Sequence, residues 1–360
     1  MKISRRSIIA FILLAACIVI HLYSRNAERV EVNYSTGVFP YFSKFLRMLF
    51  GWMPFSIGDI LYGLVAVWII WKLFLRFTKK RRPERNLSLW VKNRFIKSFL
   101  WLASLYLIFN LFWGLNYNRI GIASQLGLNM DKYSQDQLKE MNCLLIEKIN
   151  VNKKQWIRES NTYPGNKLLF SMVNDAYRDI SKAYPFLTYQ SPSMKPGMWG
   201  WLGNYAGFSG YYNPFTGEAQ VNTTAPRFLH PFVACHEVAH QVGYAKEMEA
   251  NFVAYLAASA SEQPLFRYSV YLDLFLYANR NLARTDSLTA RHYRKELITE
   301  VQKDIDEWRK FSLRYRNPGE PVVRWLYGKF LERNQQPQGI LSYDEVTAFI
   351  IAYHKKFGRI

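Results

Sequence analysis

The hydrophobic pattern changes character about one third of the way along the chain. Residues 7–23, 60–77 and 98–115 form three nearly unbroken apolar runs. Each approaches the roughly 20 residues that a helix needs to cross a bilayer. Beyond residue 116 no run is so clean, and the apolar positions become periodic. Leu168, Leu169, Met172, Val173, Ala176 and Ile180 follow the spacing of a helix with one buried face. Residues 198–215 are dense in Gly, Trp, Tyr, Asn and Pro, a composition of turns and short strands. Gly217, Glu218, Ala219, Gln220, Val221 and Asn222 alternate polar with apolar, which predicts a half-exposed strand over 217–223. After His230 and Pro231 the period lengthens into a helix over 232–242, with the proline suited to a first turn. From Gln263 the chain reads as largely helical, with a break at 316–321. The predicted fold class is mainly α with a small β-sheet (α+β), divided into a membrane anchor at 1–116 and an outer domain at 117–360. Neither an internal repeat nor a phosphate-cradling glycine loop is present.

The formal net charge of +20 raises nucleic acid or an anionic membrane as a partner. Its distribution decides between them. Residues 1–116 carry 17 Lys and Arg against 4 Asp and Glu, whereas 117–360 carry 30 against 23. The excess follows the apolar third, which points to membrane topology and excludes a nucleic-acid footprint. The basic run 76–85, continuing through Lys92, Arg94 and Lys97, is denser than the Arg25, Arg29, Lys44 and Arg47 that separate the first two runs. The positive-inside rule places the denser segment in the cytoplasm with Lys2, Arg5 and Arg6, so three crossings leave everything after about Asn116 outside. Segment 41–50 reads as an amphipathic helix on that outer interface. Residues 14–17 match a lipoprotein cleavage box and 4–7 faintly resemble a twin-arginine signal, but the apolar run continues past Cys17, where a processed lipoprotein turns polar. Cys17, Cys143 and Cys235 lie far apart and form no Cys-x-x-Cys motif or disulfide framework.

One stretch carries chemistry. His236-Glu-Val-Ala-His240 sets two histidines four residues apart, so on a helix both project from one face and can bind a single Zn²⁺. Glu237 stands beside the first, within reach of a water on that metal. The flanking residues Val233, Ala234, Cys235, Val238, Ala239, Gln241 and Val242 are uncharged, which extends the zincin pattern beyond its five-residue core. Where metzincins place a third histidine after Gly243, this chain has Lys246, whose ammonium does not ligate zinc. The third ligand is therefore expected to be a carboxylate.

Residues 200–256 resemble a gluzincin peptidase core. That resemblance implies Glu247 as the third ligand, with Asn251 replacing the aspartate that orients a histidine, and an edge strand at 217–222 along which a peptide would lie. On a helix Glu247 and Asn251 share a face while Glu249 points away. Glu262, the other spacing known among gluzincins, is followed by a helix-breaking Gln-Pro. Gly243 suits the reversal from His240 to Glu247. Over nearly its whole length, through Pro54-Phe-Ser-Ile-Gly-Asp59 and Trp113-Gly-Leu-Asn-Tyr117, the chain also resembles a bacterial family of multi-pass membrane proteins known only as a domain of unknown function.

The expectation is a zinc metallopeptidase of the bacterial inner membrane, a hydrolase facing the periplasm or cell exterior. Its partners are a peptide or protein substrate and the lipid bilayer, and no nucleic acid. Glu237 is the general base, and Tyr244, Tyr277 and Arg280 are open choices for stabilising the oxyanion. Zinc-dependent amide cleavage in cell-wall material would use the same residues. The non-enzyme alternative is a scaffold or transport-associated protein with a structural metal site. It predicts loss of Glu237 or of the open coordination position, and Glu237 is present.

Overall fold

The structure, a computed structural model, describes residues 5–78, 87–159 and 162–360. It is mainly helical with one small sheet, as the periodicity predicts. The first run is helix α1 (Arg5–Ser24), and α2 (Phe39–Phe50) follows it. The second and third runs are α3 (Ile57–Thr78) and α4 (Leu87–Phe112). Arg5–Ser24, Ile57–Thr78 and Trp90–Phe112 are each long and apolar enough to cross a membrane, and they bury almost none of that apolar surface inside the protein.

Two boundaries differ from the sequence reading. The third span ends at Phe112 and not at Leu115, because Trp113 breaks the helix with φ −157° and residues 114–118 turn as a 3₁₀ segment. Trp113, Leu115 and Tyr117 are apolar because they are buried with Val30, Tyr34, Phe39 and Ala245 in a small core outside the spans. At its other end α4 extends well past the apolar run, so Lys92, Arg94 and Lys97 are helical. Lys2 and residues 79–86, the centre of the predicted basic loop, lie outside the described residues.

The larger body is built from α5 (Gln135–Glu159), α6 (Asn166–Ala183), strand β1 (Met194–Pro196), α7 (Gly200–Ala206), β2 (Gly210–Asn213), β3 (Glu218–Val221), α8 (His230–Gln241) and α9 (Glu247–Ala260). It continues through α10 (Pro264–Ala283), α11 (Ser287–Glu296), α12 (Thr299–Tyr315), α13 (Glu320–Arg333) and α14 (Val346–Phe357). Its core centres on α8, α9 and α10, which are buried along most of their lengths. The break at 316–321 falls between α12 and α13, where it was expected. Cys17, Cys143 and Cys235 are all free thiols.

The sheet order is β1-β3-β2, with β1 parallel and β2 antiparallel to β3. This corrects the reading of 217–222 as a half-exposed edge. Strand β3 is the central strand, and Glu218, Ala219, Gln220 and Val221 are all buried. Its polar-apolar alternation has a different cause. Ala219 and Val221 enter the main core. Glu218 turns to the start of α3, accepting from the backbone N–H of Ile57 (3.1 Å) and Gly58 (2.7 Å). A carboxylate there satisfies orphan N–H groups and complements the helix dipole.

The segment between the first two spans is part of the same packing as the outer body. Ser43 Oγ on α2 donates to the Gln241 carbonyl (3.0 Å), and Arg47 Nη1 reaches the same oxygen (3.0 Å). Contacts therefore cross residue 116, with α2 capping the last turn of α8. The opposite face of α2 exposes Tyr41, Phe45, Met48, Leu49 and, just beyond its end, Trp52.

Candidate metal centre

Helix α8 opens with Pro231 in its first turn and is buried on every side. One turn separates His236 from His240, so their rings meet edge to face with centroids 4.7 Å apart. The helix stops at Val242, and Gly243 adopts φ +99°, a conformation that glycine takes without a Cβ clash. The reversal returns the chain in four residues. Glu247 is consequently the first residue of α9, where a carboxylate is also favoured by the helix dipole.

Glu247 Oε2 lies 3.2 Å from His236 Nε2 and 3.7 Å from His240 Nε2. All three residues are buried, and one ligand atom from each falls within 4.8 Å of the others. Bonds of about 2.1 Å in a tetrahedral zinc site separate ligand atoms by roughly 3.4 Å. The donor set therefore fits a divalent metal in both spacing and chemistry. Burial alone would raise the Glu247 pKa, but hydrogen bonding and charge from His236 and His240 outweigh it and hold the carboxyl well below its usual range. Burial disfavours charge on His240, yet the Glu247 carboxylate prevails and raises this imidazole to about 9.

The supports around the ligands come from distant parts of the chain. His240 Nδ1 bonds the Tyr244 carbonyl (2.7 Å), and the Trp113 ring meets the His240 ring edge to face. Tyr327 Oη on α13 donates to Glu247 Oε1 (2.7 Å), leaving Oε2 directed at the imidazoles. Gln336 Oε1 accepts from the Glu247 backbone N–H (2.9 Å). Asn251 does not take the orienting part expected of it. It is buried with Nδ2 unpartnered, while His236 Nδ1 is itself buried without a partner. Asp273 on α10 is a further carboxylate whose charge interacts with His236. Burial pushes it up to about 7 against the opposing pull of His236 and Arg280, and its Oδ2 is also unpartnered.

Glu249 points elsewhere, as the helical rotation predicts. Its Oε1 is 3.8 Å from Lys246 Nζ, so Lys246 also turns from the centre, and a Cβ on Gly121 would fall 1.9 Å from the same oxygen. Glu262 is exposed beyond the end of α9. The Tyr244 hydroxyl bonds Gln125 (2.6 Å) and Arg280 pairs with Asp344 (3.2 Å), whereas Tyr277 senses the charges of Asp273 and Glu247.

Glu237 is buried beside the ligands with Oε2 unpartnered. Burial raises its pKa to about 7, although both histidines pull it down. Its other oxygen lies against strand β2. A Cβ added at Gly210 would come within 2.5 Å of Glu237 Oε1, so glycine there permits the close approach of backbone and carboxylate. The strand beside the centre is thus β2, at the sheet edge, and not the central β3.

The turn between α8 and α9 is held by a buried ion pair. Arg119 Nη1 donates to the Gly243 carbonyl (3.0 Å), while Arg119 Nη2 pairs with Glu31 (2.6 Å) at 2% and 11% side-chain exposure. The guanidinium also lies over the Tyr244 ring, 4.4 Å from its centroid. Tyr327, Gln336, Arg119 and Glu31 carried no sequence signal. Asp273 carried one, as a lone carboxylate in the apolar run 268–276, where a charge needs a partner.

No curated protein and no solved structure matches the chain. A family described as "protein of unknown function (DUF3810)" matches residues 34–351, a stretch that includes the second and third spans, all three candidate ligands and every support named above except Glu31, and the chain belongs to that family.

Proposed function

We propose that the chain is a membrane-anchored, zinc-dependent peptidase. The observation that carries this reading is the convergence of His236, His240 and Glu247 beside a buried Glu237 with a free oxygen. Two imidazoles and one carboxylate form a ligand set of catalytic zinc sites, which keep a coordination position open. Zinc bound there supplies Lewis acidity, bringing the pKa of water to about 7 and polarising a carbonyl.

The chain's own side chains account for the remaining work. Glu237 Oε2 takes the proton of the attacking water and hands it to the departing amine, a role suited to a carboxyl whose pKa stands near neutrality. Strand β2 offers its outer edge to an extended peptide, which would gain main-chain hydrogen bonds irrespective of sequence. Of the three oxyanion choices, Tyr244 and Arg280 are engaged by Gln125 and Asp344. A purely structural metal site would have no use for a buried, unpartnered carboxyl at Glu237, since such a group costs stability.

The orientation proposed is outward, from the inner membrane of a bacterium into the periplasm or exterior. Basic residues at 5–6 and at 76–97 flank the same side of the three spans. Segment 27–56 packs with residues 117–360, in keeping with a common side for both. A reporter active only outside the membrane, fused after Ile360, should be active, and a silent one would refute the topology. For the chemistry, Glu237→Gln should keep stoichiometric zinc and lose at least a hundredfold in peptide-library turnover. A mutant as active as the parent would eliminate the proposal.

A further inference from the structure

We propose, resting on the peptidase reading, that the centre acts on the juxtamembrane segment of a membrane-anchored polypeptide, because the helices framing the site sit in the outer leaflet. Helices α7 and α13 form the frame. Tyr327 of α13 holds Glu247, and the Phe208 ring, just after α7, packs edge to face on Tyr327 with centroids 5.4 Å apart. Asn317 Nδ2 ties the two helices together by donating to the Tyr205 carbonyl (2.7 Å).

Both helices turn large apolar side chains outward. On and beside α7 these are Trp199, Trp201, Leu202 and Tyr205. On α13, Val322, Trp325, Leu326 and Phe330 are 38–61% exposed at spacings that form one face. Surfaces of this kind on one side of a protein require a cover.

The level of that cover follows from contacts with the spans. The Trp199 ring lies against Gly63, where an added Cβ would be 3.3 Å away, and its Nε1 donates to the Asp59 carbonyl (3.1 Å). Gly63 is six residues inside α3, or about 9 Å below its outer end. Phe330 packs edge to face on Phe109, with centroids 6.1 Å apart, about 4–5 Å below the outer end of α4. The two lips therefore touch the spans beneath their outer ends, and their unpaired apolar faces continue the apolar surfaces of α3 and α4. The abundance of Trp and Tyr suits an interfacial belt. Lipid is the occupant that this continuity selects.

The strand proposed to receive substrate is fixed at the same level. Tyr211 of β2 hydrogen-bonds Asp59 through its hydroxyl, and its ring stacks on Tyr62 of α3 with centroids 6.1 Å apart. A polypeptide leaving the bilayer beside α3 meets β2 and Glu237 within its first extended residues.

The lips can be tested without turnover. The full chain, with Cys17 and Cys143 replaced by serine and the buried Cys235 retained, is reconstituted in phosphatidylethanolamine–phosphatidylglycerol vesicles. Nitroxides are placed at Leu202 or Leu326, with Leu288 on α11, 73% exposed, as reference. Labels at 202 and 326 should collide with oxygen in preference to an aqueous nickel chelate, and the label at 288 should do the reverse. Equal behaviour at all three would overturn the proposal whatever the catalytic result.

Substrate class is then read with a library of eight-residue segments, offered free in solution, joined directly to a transmembrane helix, or raised about 45 Å by a 30-residue helical spacer. Directly joined segments should be cleaved at least tenfold faster than raised ones at equal surface density. Equal rates, or cleavage of the free library alone, would overturn this inference and leave the peptidase reading standing. No cleavage in any format by zinc-loaded protein would overturn both.

Discussion

Replacing Tyr327 with phenylalanine removes one oxygen atom from the surroundings of the candidate centre and leaves the ligands in place. In the structure that oxygen donates to Glu247 Oε1 at 2.7 Å, within a carboxylate only 5% exposed. A hydrogen bond to a charged group contributes about 1.5–3 kcal/mol, and 1.4 kcal/mol is a factor of ten in affinity. The loss should therefore weaken zinc binding about 10- to 100-fold, the range found for partners that orient ligands. The backbone of Glu247 remains held by Gln336, which places the expectation nearer the lower figure.

The assay is competition with a chromogenic chelator, on full-length protein in nanodiscs at fixed pH. Tyr244→Phe is the matched control, because its hydroxyl bonds Gln125 and only its backbone carbonyl meets His240. That control should lose stability without losing zinc affinity. If Tyr327→Phe binds zinc within twofold of the parent, or if the two variants weaken it equally, the claim that Tyr327 fixes the Glu247 carboxylate is wrong.

Glu247→Ala should lose zinc while Glu249→Ala keeps it, as measured by metal content after gel filtration; the opposite result would reassign the third ligand. Zinc must displace the proton that His240 carries below about 9, so affinity should rise about tenfold per pH unit up to that value, with about one proton released per zinc at pH 7. Calorimetry in two buffers of different ionisation enthalpy counts that proton, and a count of zero would refute the pairing with Glu247. Arg119→Met leaves Glu31 buried without its cation, which should cost about 3–5 kcal/mol and lower the midpoint of Cys235 thiol exposure on heating. An unchanged midpoint would show that the pair contributes little.

What could be read from the sequence was whatever repeats at short range. Three apolar runs gave the helices long enough to cross a membrane, and the four-residue spacing of His236 and His240 gave two candidate ligands on one helical face. The choice of Glu247 over Glu249 also followed from rotation about a helix, and Gly243 marked the reversal that brings it back. Each of these depends on neighbours within about ten residues. The same logic misread the exposure of 217–222, which holds the central, buried strand of the sheet. Alternation in 217–222 is the mark of two different faces, and neither of them meets water. Glu218 instead meets the N-terminus of the long apolar helix α3, 160 residues earlier in the chain.

That error shows why the rest was hidden. A buried charge leaves no trace of its partner's position, only a demand that one exist. Glu218 finds orphan N–H groups at Ile57 and Gly58, Glu31 finds Arg119, and Glu247 finds Tyr327. Each pair is separated by 80 residues or more, and each joins the candidate centre or its sheet to a different segment. In the first two pairs one partner belongs to the anchor. The anchor is consequently part of the scaffold that shapes the centre, since α2 caps α8, Glu31 orders the Arg119 that grips Gly243, and α3 carries β2. An outer domain cut at residue 117 would keep every candidate ligand together with Tyr327, Gln336 and Arg119, and would lose Glu31, Ser43, Arg47 and Asp59, which hold Arg119, the end of α8 and β2.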